Sequence, residues 1–305
     1  MRKALIAPAA LGDLGSGKQA AAKPPVPAVS DNDSSLAPFV PWAIGLLVLT
    51  TIAAWGGIVI NQFSTAPCAL SPQGCTEIPI WMKAPLISTH LLAFGLMPTA
   101  MFVFYKRAPR LLAWGADSPI TSIIGLSFLM VSIAGEMGWH VSQKWFYQED
   151  YMILNAFFYL FLILGTALWA LGIQDKETKD TPLSRGLDKV LLACAPLAMV
   201  AYGLGAAVFH TKVPIYIILS FEYAVLTLRF WRLLDKDPRV FLFPFFSVGV
   251  NLFFISLLNK YESDIILNPL FHILHDAAGT EMGVAIITAL VYTAPARLLK
   301  PSEAK

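Results

Sequence analysis

The chain has 305 residues, 56% of them hydrophobic and only 14% charged, with a formal net charge of +2. Soluble domains carry roughly a quarter charged residues, so this composition excludes a water-soluble globule. The near-neutral balance gives no electrostatic ground for nucleic acid as a partner.

Residues 1–38 are rich in Ala and Pro, end near SDNDSS and contain no apolar run of signal-peptide quality. They read as a disordered cytoplasmic extension. Apolar windows then follow at Trp42 to Ile60, Pro85 to Phe104, Ile120 to His140, Met152 to Ile173, Val190 to His210, Val213 to Leu234, Val240 to Leu258 and Pro269 to Tyr292. Each is near the ~20 residues that cross a bilayer as helix. Lipid offers the backbone no hydrogen-bond partner, and the windows lack the alternation of a membrane β-barrel. The expected fold is therefore an all-α integral membrane protein of about eight transmembrane helices over residues 39–300, with 301–305 as a short tail.

Charge sets the orientation. With the N-terminus inside, 18 of the 22 Lys and Arg residues fall on one side, leaving Lys83, Lys144, Lys212 and Lys260 on the other. The positive-inside rule then predicts both termini in the cytoplasm, a basic face against anionic lipid, and residence in a plasma or inner membrane. Membrane lipid is the expected partner; no sequence signal sets an oligomeric state. Cys68 and Cys75, in CALSPQGC, fall in the loop placed outside, where a disulfide would suit an oxidising compartment.

Only five histidines occur, and all five lie near the end of a predicted helix on the outer side: His90, His140, His210, His272 and His275. In NPLFHILHDAAGTEMG, His272, His275, Asp276 and Gly279 fall at i, i+3, i+4 and i+7, one face of a helix. In GEMGWH, Glu136 and His140 are four apart and share a face with Ser132. Ionisable residues at such depth normally face the protein interior and mark a site. Three imidazoles with a carboxylate or water suit zinc. The favoured ligands are His140, His272, His275 and His210, with His90 open between ligand and interfacial residue. His275 and Asp276 compete for one coordination position, so one ligates and the other orients it. Ser132 is either a catalytic hydroxyl or a helix-packing residue.

Two acids lie deeper. Glu222 is roughly nine residues, or ~14 Å, below the outer end of its helix, and Glu281 descends comparably below Asp276. Each is expected to be uncharged there, and to hold the bundle together, by hydrogen bonding the other or Tyr223, or to form a proton path.

A bundle whose last helix opens on closely spaced histidines, and whose early helix carries a histidine one turn after a polar residue, resembles the alkaline ceramidase, progestin and adipoQ receptor, and Per1 superfamily of membrane hydrolases. The resemblance implies a seven-helix core formed by predicted helices two to eight, with His140 and His272 among the zinc-binding histidines. It further implies a zinc-bound water attacking a lipid amide or ester, with Glu136 or Asp276 moving the proton. In this sequence Glu136 stands at the family's serine position, and FHILHD has Asp276 where the second histidine of an HxxxH pair would fall. Two other classes fit the residues. Histidines at one depth can ligate haem or a pigment non-covalently, and Glu222 with Glu281 would suit a proton-coupled transporter.

Overall fold

A computed structural model describes residues 80–142, 153–205, 212–261, 264 and 266–294, all within the unit Ser34–Lys305. The N-terminal extension, the window Trp42 to Ile60, Cys68, Cys75, His210 and the tail lie outside the described residues. The protein is an all-α, multi-pass integral membrane protein: seven helical segments among the described residues are long and apolar enough to cross a membrane.

The spans follow the predicted windows, with instructive extensions. Helix α1 (Ile80–Ala113) runs past its apolar window at both ends. Its last turns carry Arg107, which donates to the Tyr292 carbonyl (3.1 Å) and lies over the Tyr292 ring. Helices α2 (Pro119–Ser142), α3 (Ile153–Gly172) and α5 (Val213–Leu233) match their windows closely. Helix α4 (Pro182–Leu204) begins well before Val190, because Thr181 accepts from the Ser184 amide and Pro182 fits the first turn. Those first turns are amphipathic, so hydropathy alone does not see them.

The sixth span, Pro238–Leu258, is irregular. A 3-10 turn at Pro238–Phe241 and a wide π turn at Phe245–Val250 precede helix α6 (Asn251–Lys260). The seventh span is broken: α7 (Leu267–Ala278) and α8 (Thr280–Thr293) meet at Gly279, whose φ −94° and ψ −121° are not helical.

Large apolar side chains such as Leu92, Val200, Ile217 and Phe253 are exposed on the outside of the bundle, as a lipid-facing surface requires. Inside, Phe104, Trp169, Phe230 and Phe243 are fully buried and meet edge to face at 5.5–6.1 Å, joining four spans. The closest helix pair is α2 with α3. A Cβ on Gly165 would fall 2.8 Å from the Gly125 carbonyl and 2.9 Å from the Leu129 amide, and one on Gly125 would meet the α3 backbone. Small residues let the backbones touch, which replaces the hydrophobic force that lipid cannot supply.

Polar contacts join the loops at the basic end. Lys179 pairs with Asp117 at 2.9 Å. Arg229, buried on α5, donates to the Ala170 carbonyl of α3 (2.7 Å) and to Asp188 of α4 (2.5 Å), and Gln174 also binds Asp188. At the other end, Asp264 accepts the amides of Ile266 and Leu267 at 2.9 and 2.8 Å and starts the seventh span.

Two expectations follow. Gly165→Leu drives a side chain into the α2 backbone and is expected to cost at least the ~1–3 kcal/mol of overpacking, read as a lowered melting temperature in detergent; an unchanged melt would mean the seam is loose. The backbone amides hold the Asp264 carboxyl below its ordinary 3.8. A depressed carboxylate contributes stability above its unfolded pKa and loses it as pH falls through the folded value. Protection of the Ile266 and Leu267 amides from hydrogen exchange should therefore persist down to the ordinary carboxyl value of 3.8 and be lost only as pH falls further, whereas Asp264→Ala should remove it at neutral pH.

Candidate functional site

Three spans bring the polar layer together. The α1 residue His90 is 2% exposed, the α2 residue His140 is 2% exposed, and Asp276 near the end of α7 is 6% exposed. Glu136, one turn before His140, and His272, one turn before Asp276, complete the layer. The rings of His90 and His140 lie 4.9 Å apart and those of His140 and His272 4.7 Å apart, both edge to face. Trp139 packs on His140 at 4.6 Å and roofs the layer.

Hydrogen bonds fix how the groups present themselves. The Leu86 carbonyl is 2.8 Å from His90 Nδ1, so Nδ1 carries a proton and donates to it. His90 Nε2 then faces Glu136 Oε2 at 3.4 Å, and it has no hydrogen-bond partner among the described residues. Both ring nitrogens of buried His140 also lack one. Asp276 accepts from His275 Nδ1 at Oδ1 (3.0 Å), and its Oδ2 lies 3.7 Å from His90 Nδ1, whose proton goes to Leu86. His272 Nε2 is 3.8 Å from Oδ1.

Beside the layer is a cavity of about 40 Å³, measured as room for the centres of water molecules and enough for a few waters. It is lined by polar groups of Glu136, His275, Asp276, Asn251, Thr280 and Glu281 and by apolar side chains such as Met97 and Phe158. Thr280 connects the cavity to two further spans. Thr280 Oγ1 lies 3.2 Å from both the Tyr223 hydroxyl of α5 and the Asn251 amide nitrogen. Gly279 makes this approach possible, since a Cβ there would collide with Asn251 Oδ1.

The structure thus gathers Glu136, His140, His272 and Asp276, and places His275 behind Asp276 rather than in the layer. His90, left open by the sequence, joins the layer against Glu136 and His140; its signal was the shared outer end of all five histidines. Ser132 is fully buried and donates to the Phe158 carbonyl across the α2–α3 seam at 2.8 Å. Glu222 is fully buried near the Cys194 thiol, and neither carboxylate oxygen has a hydrogen-bond partner among the described residues. Tyr223 turns to Thr280 rather than to either acid, and Glu281 lines the cavity alone of the two. Sequence reading passed over Asn251, an amide inside an apolar window, and counted Arg229 among loop charges.

A family described as seven transmembrane receptor matches residues 82–297, well over half of the chain. The chain belongs to that family. No curated protein and no solved structure matches it. Membership in a seven transmembrane receptor family replaces the resemblance to the ceramidase, adipoQ receptor and Per1 superfamily, and with it the expected zinc-dependent lipid hydrolase. The geometry shows why the motif misled: Asp276, not a second histidine, enters the layer, and the Ser132 hydroxyl is committed to a backbone carbonyl. The haem, pigment and transporter alternatives gain no support from the family.

Ser132 lines the cavity as well, but its hydroxyl is spent on the seam, so Ser132→Ala removes that bond and little else. It should lower stability by about 0.5–1 kcal/mol in a thermal melt and leave the layer unchanged; a loss of ligand binding would reassign Ser132 to the site.

Proposed function

We propose that the protein is a membrane receptor that takes a small polar or cationic ligand at the layer of His90, Glu136, His140, His272 and Asp276, and passes the event to the basic end of the bundle. The observation that carries this reading is the buried, acceptor-rich layer, in which nitrogens of His90 and His140 have no hydrogen-bond partner among the described residues, opening onto a cavity at a break in the last span. Buried polar groups without partners cost about 1–3 kcal/mol each, so a ligand that satisfies them is favoured. Membership in a receptor family supports the same reading.

The route onward is physical contact. From Asp276 the chain passes the break at Gly279 to Thr280, which meets Tyr223 on α5. Two turns further along α5, Arg229 joins α3 and α4 through Ala170 and Asp188. A shift of α8 at Thr280 therefore has a mechanical path to the basic loops through one rigid helix.

A mutant cycle tests this. Asp276→Asn should change hydrogen exchange at residues 174–188, and Tyr223→Phe, which removes only the hydroxyl, should abolish that change, with a coupling energy on the order of 1 kcal/mol. Exchange at 174–188 that is the same in the wild type and Asp276→Asn would overturn the receptor reading.

A further inference from the structure

We infer that the layer is a binding site for one divalent transition-metal ion of the zinc class, and that this ion is the ligand; the second part rests on the receptor reading above. His90, Glu136 and His140 form one triad of donor atoms, and His140, His272 and Asp276 a second, each with all its donors within 4.8 Å of one another. Zinc bonds of 2.0–2.1 Å set tetrahedral donors about 3.4 Å apart. Closing either triad around an ion thus asks for side-chain shifts of about an ångström, not a rearrangement of helices.

Three features separate this layer from a plain hydrogen-bonded cluster. First, the proton on His90 Nδ1 is committed to the Leu86 carbonyl, so it is Nε2 that faces the Glu136 carboxylate, at 3.4 Å; in the neutral ring Nε2 carries a lone pair. Two electron-rich atoms in that position need a cation between them. A proton would serve that pair, but it would leave His140 with both nitrogens buried and without a partner among the described residues. A metal ion serves both. Second, the groups behind the donors are those that orient metal ligands: a backbone carbonyl on His90, and the His275 imidazole on Asp276. Third, the donors are imidazoles with carboxylates, which select zinc-class ions over magnesium or calcium. Glu136 and Asp276 also line the cavity, so water reaches the remaining coordination position from there. His272, with 18% of its side chain exposed, lies at the entry side.

The test uses the full-length chain in lipid nanodiscs, stripped of metal and titrated with Zn²⁺ and then Co²⁺. About one ion per chain should bind, and Co²⁺ should give the visible bands of tetrahedral nitrogen and oxygen coordination. His140→Ala and His272→Ala should each lower affinity by more than about 100-fold, and His275→Ala by about 10 to 100-fold, as loss of an orienting contact does. Glu222→Gln, buried away from the layer, should bind as the wild type does. Affinity should fall as pH drops through the histidine range, because protons compete for the imidazoles. Absence of binding by the wild type, or wild-type affinity in His140→Ala with an unchanged circular dichroism spectrum and melt, overturns the site. Hydrogen exchange at 174–188 separates the two readings. Binding without a change there leaves the metal site standing and overturns the ion as the receptor's ligand; no binding, with the Asp276→Asn effect intact, overturns the metal site and leaves the receptor.

Discussion

Every polar group carried into this bundle must find its partner within the protein, because the lipid around it has none to give. That constraint explains most of the internal architecture. Hydroxyls return to their own helix, as Thr166 does to Leu162 and Thr288 to Val284, or cross to a neighbour, as Ser132 does to Phe158. Arg229 is tolerated in the interior because one face of its guanidinium meets a carbonyl and another a carboxylate. Among the described residues the rule is left incomplete at several buried atoms, and at His90 and His140 these gather in one layer, where chemistry is expected rather than packing.

Close approach of backbones is the second condition, and glycine provides it in two places with different results. At Gly125 and Gly165 it fuses α2 and α3 into one rigid unit that holds Glu136 and His140 steady. At Gly279 and Gly283 it brings the last span against Asn251, Ser247 and Phe243 of the irregular sixth span. One unit is thus firm and uninterrupted, while the other joins two segments that both depart from regular helix. The polar layer sits across the boundary between them, with His140 on the firm side and Asp276 on the interrupted one.

The spans were legible in the sequence because lipid solvation writes them as apolar runs of bilayer length. The ends were less so: the first turns of α4 carry Arg185, Asp188 and Lys189 and fall below any hydropathy threshold, although Thr181-Pro182 marks the start. Helical spacing placed Glu136 with His140 and His272 with Asp276, because i to i+4 neighbours share a face whatever the tertiary fold. Spacing could not say which of His275 and Asp276 faces inward, since three and four residues differ by about a third of a turn. Nor could it bring His90 in, because that depends on how α1 is rotated against α2. The family assignment failed for a related reason: a few histidines at helix ends recur in unrelated bundles, whereas the pattern of the whole chain does not.

The break at Gly279 divides the last span electrically as well as mechanically. An unbroken helix would carry its partial charges only at its two ends, far from Asp276. Here the partially negative end of α7 and the partially positive start of α8 face each other just beyond that carboxylate. A cation arriving at the layer attracts the first and repels the second. The two half-helices therefore respond in opposite senses to one charge, so that a local change in electrostatics becomes a turning force about the junction, directed into the segment that carries Thr280.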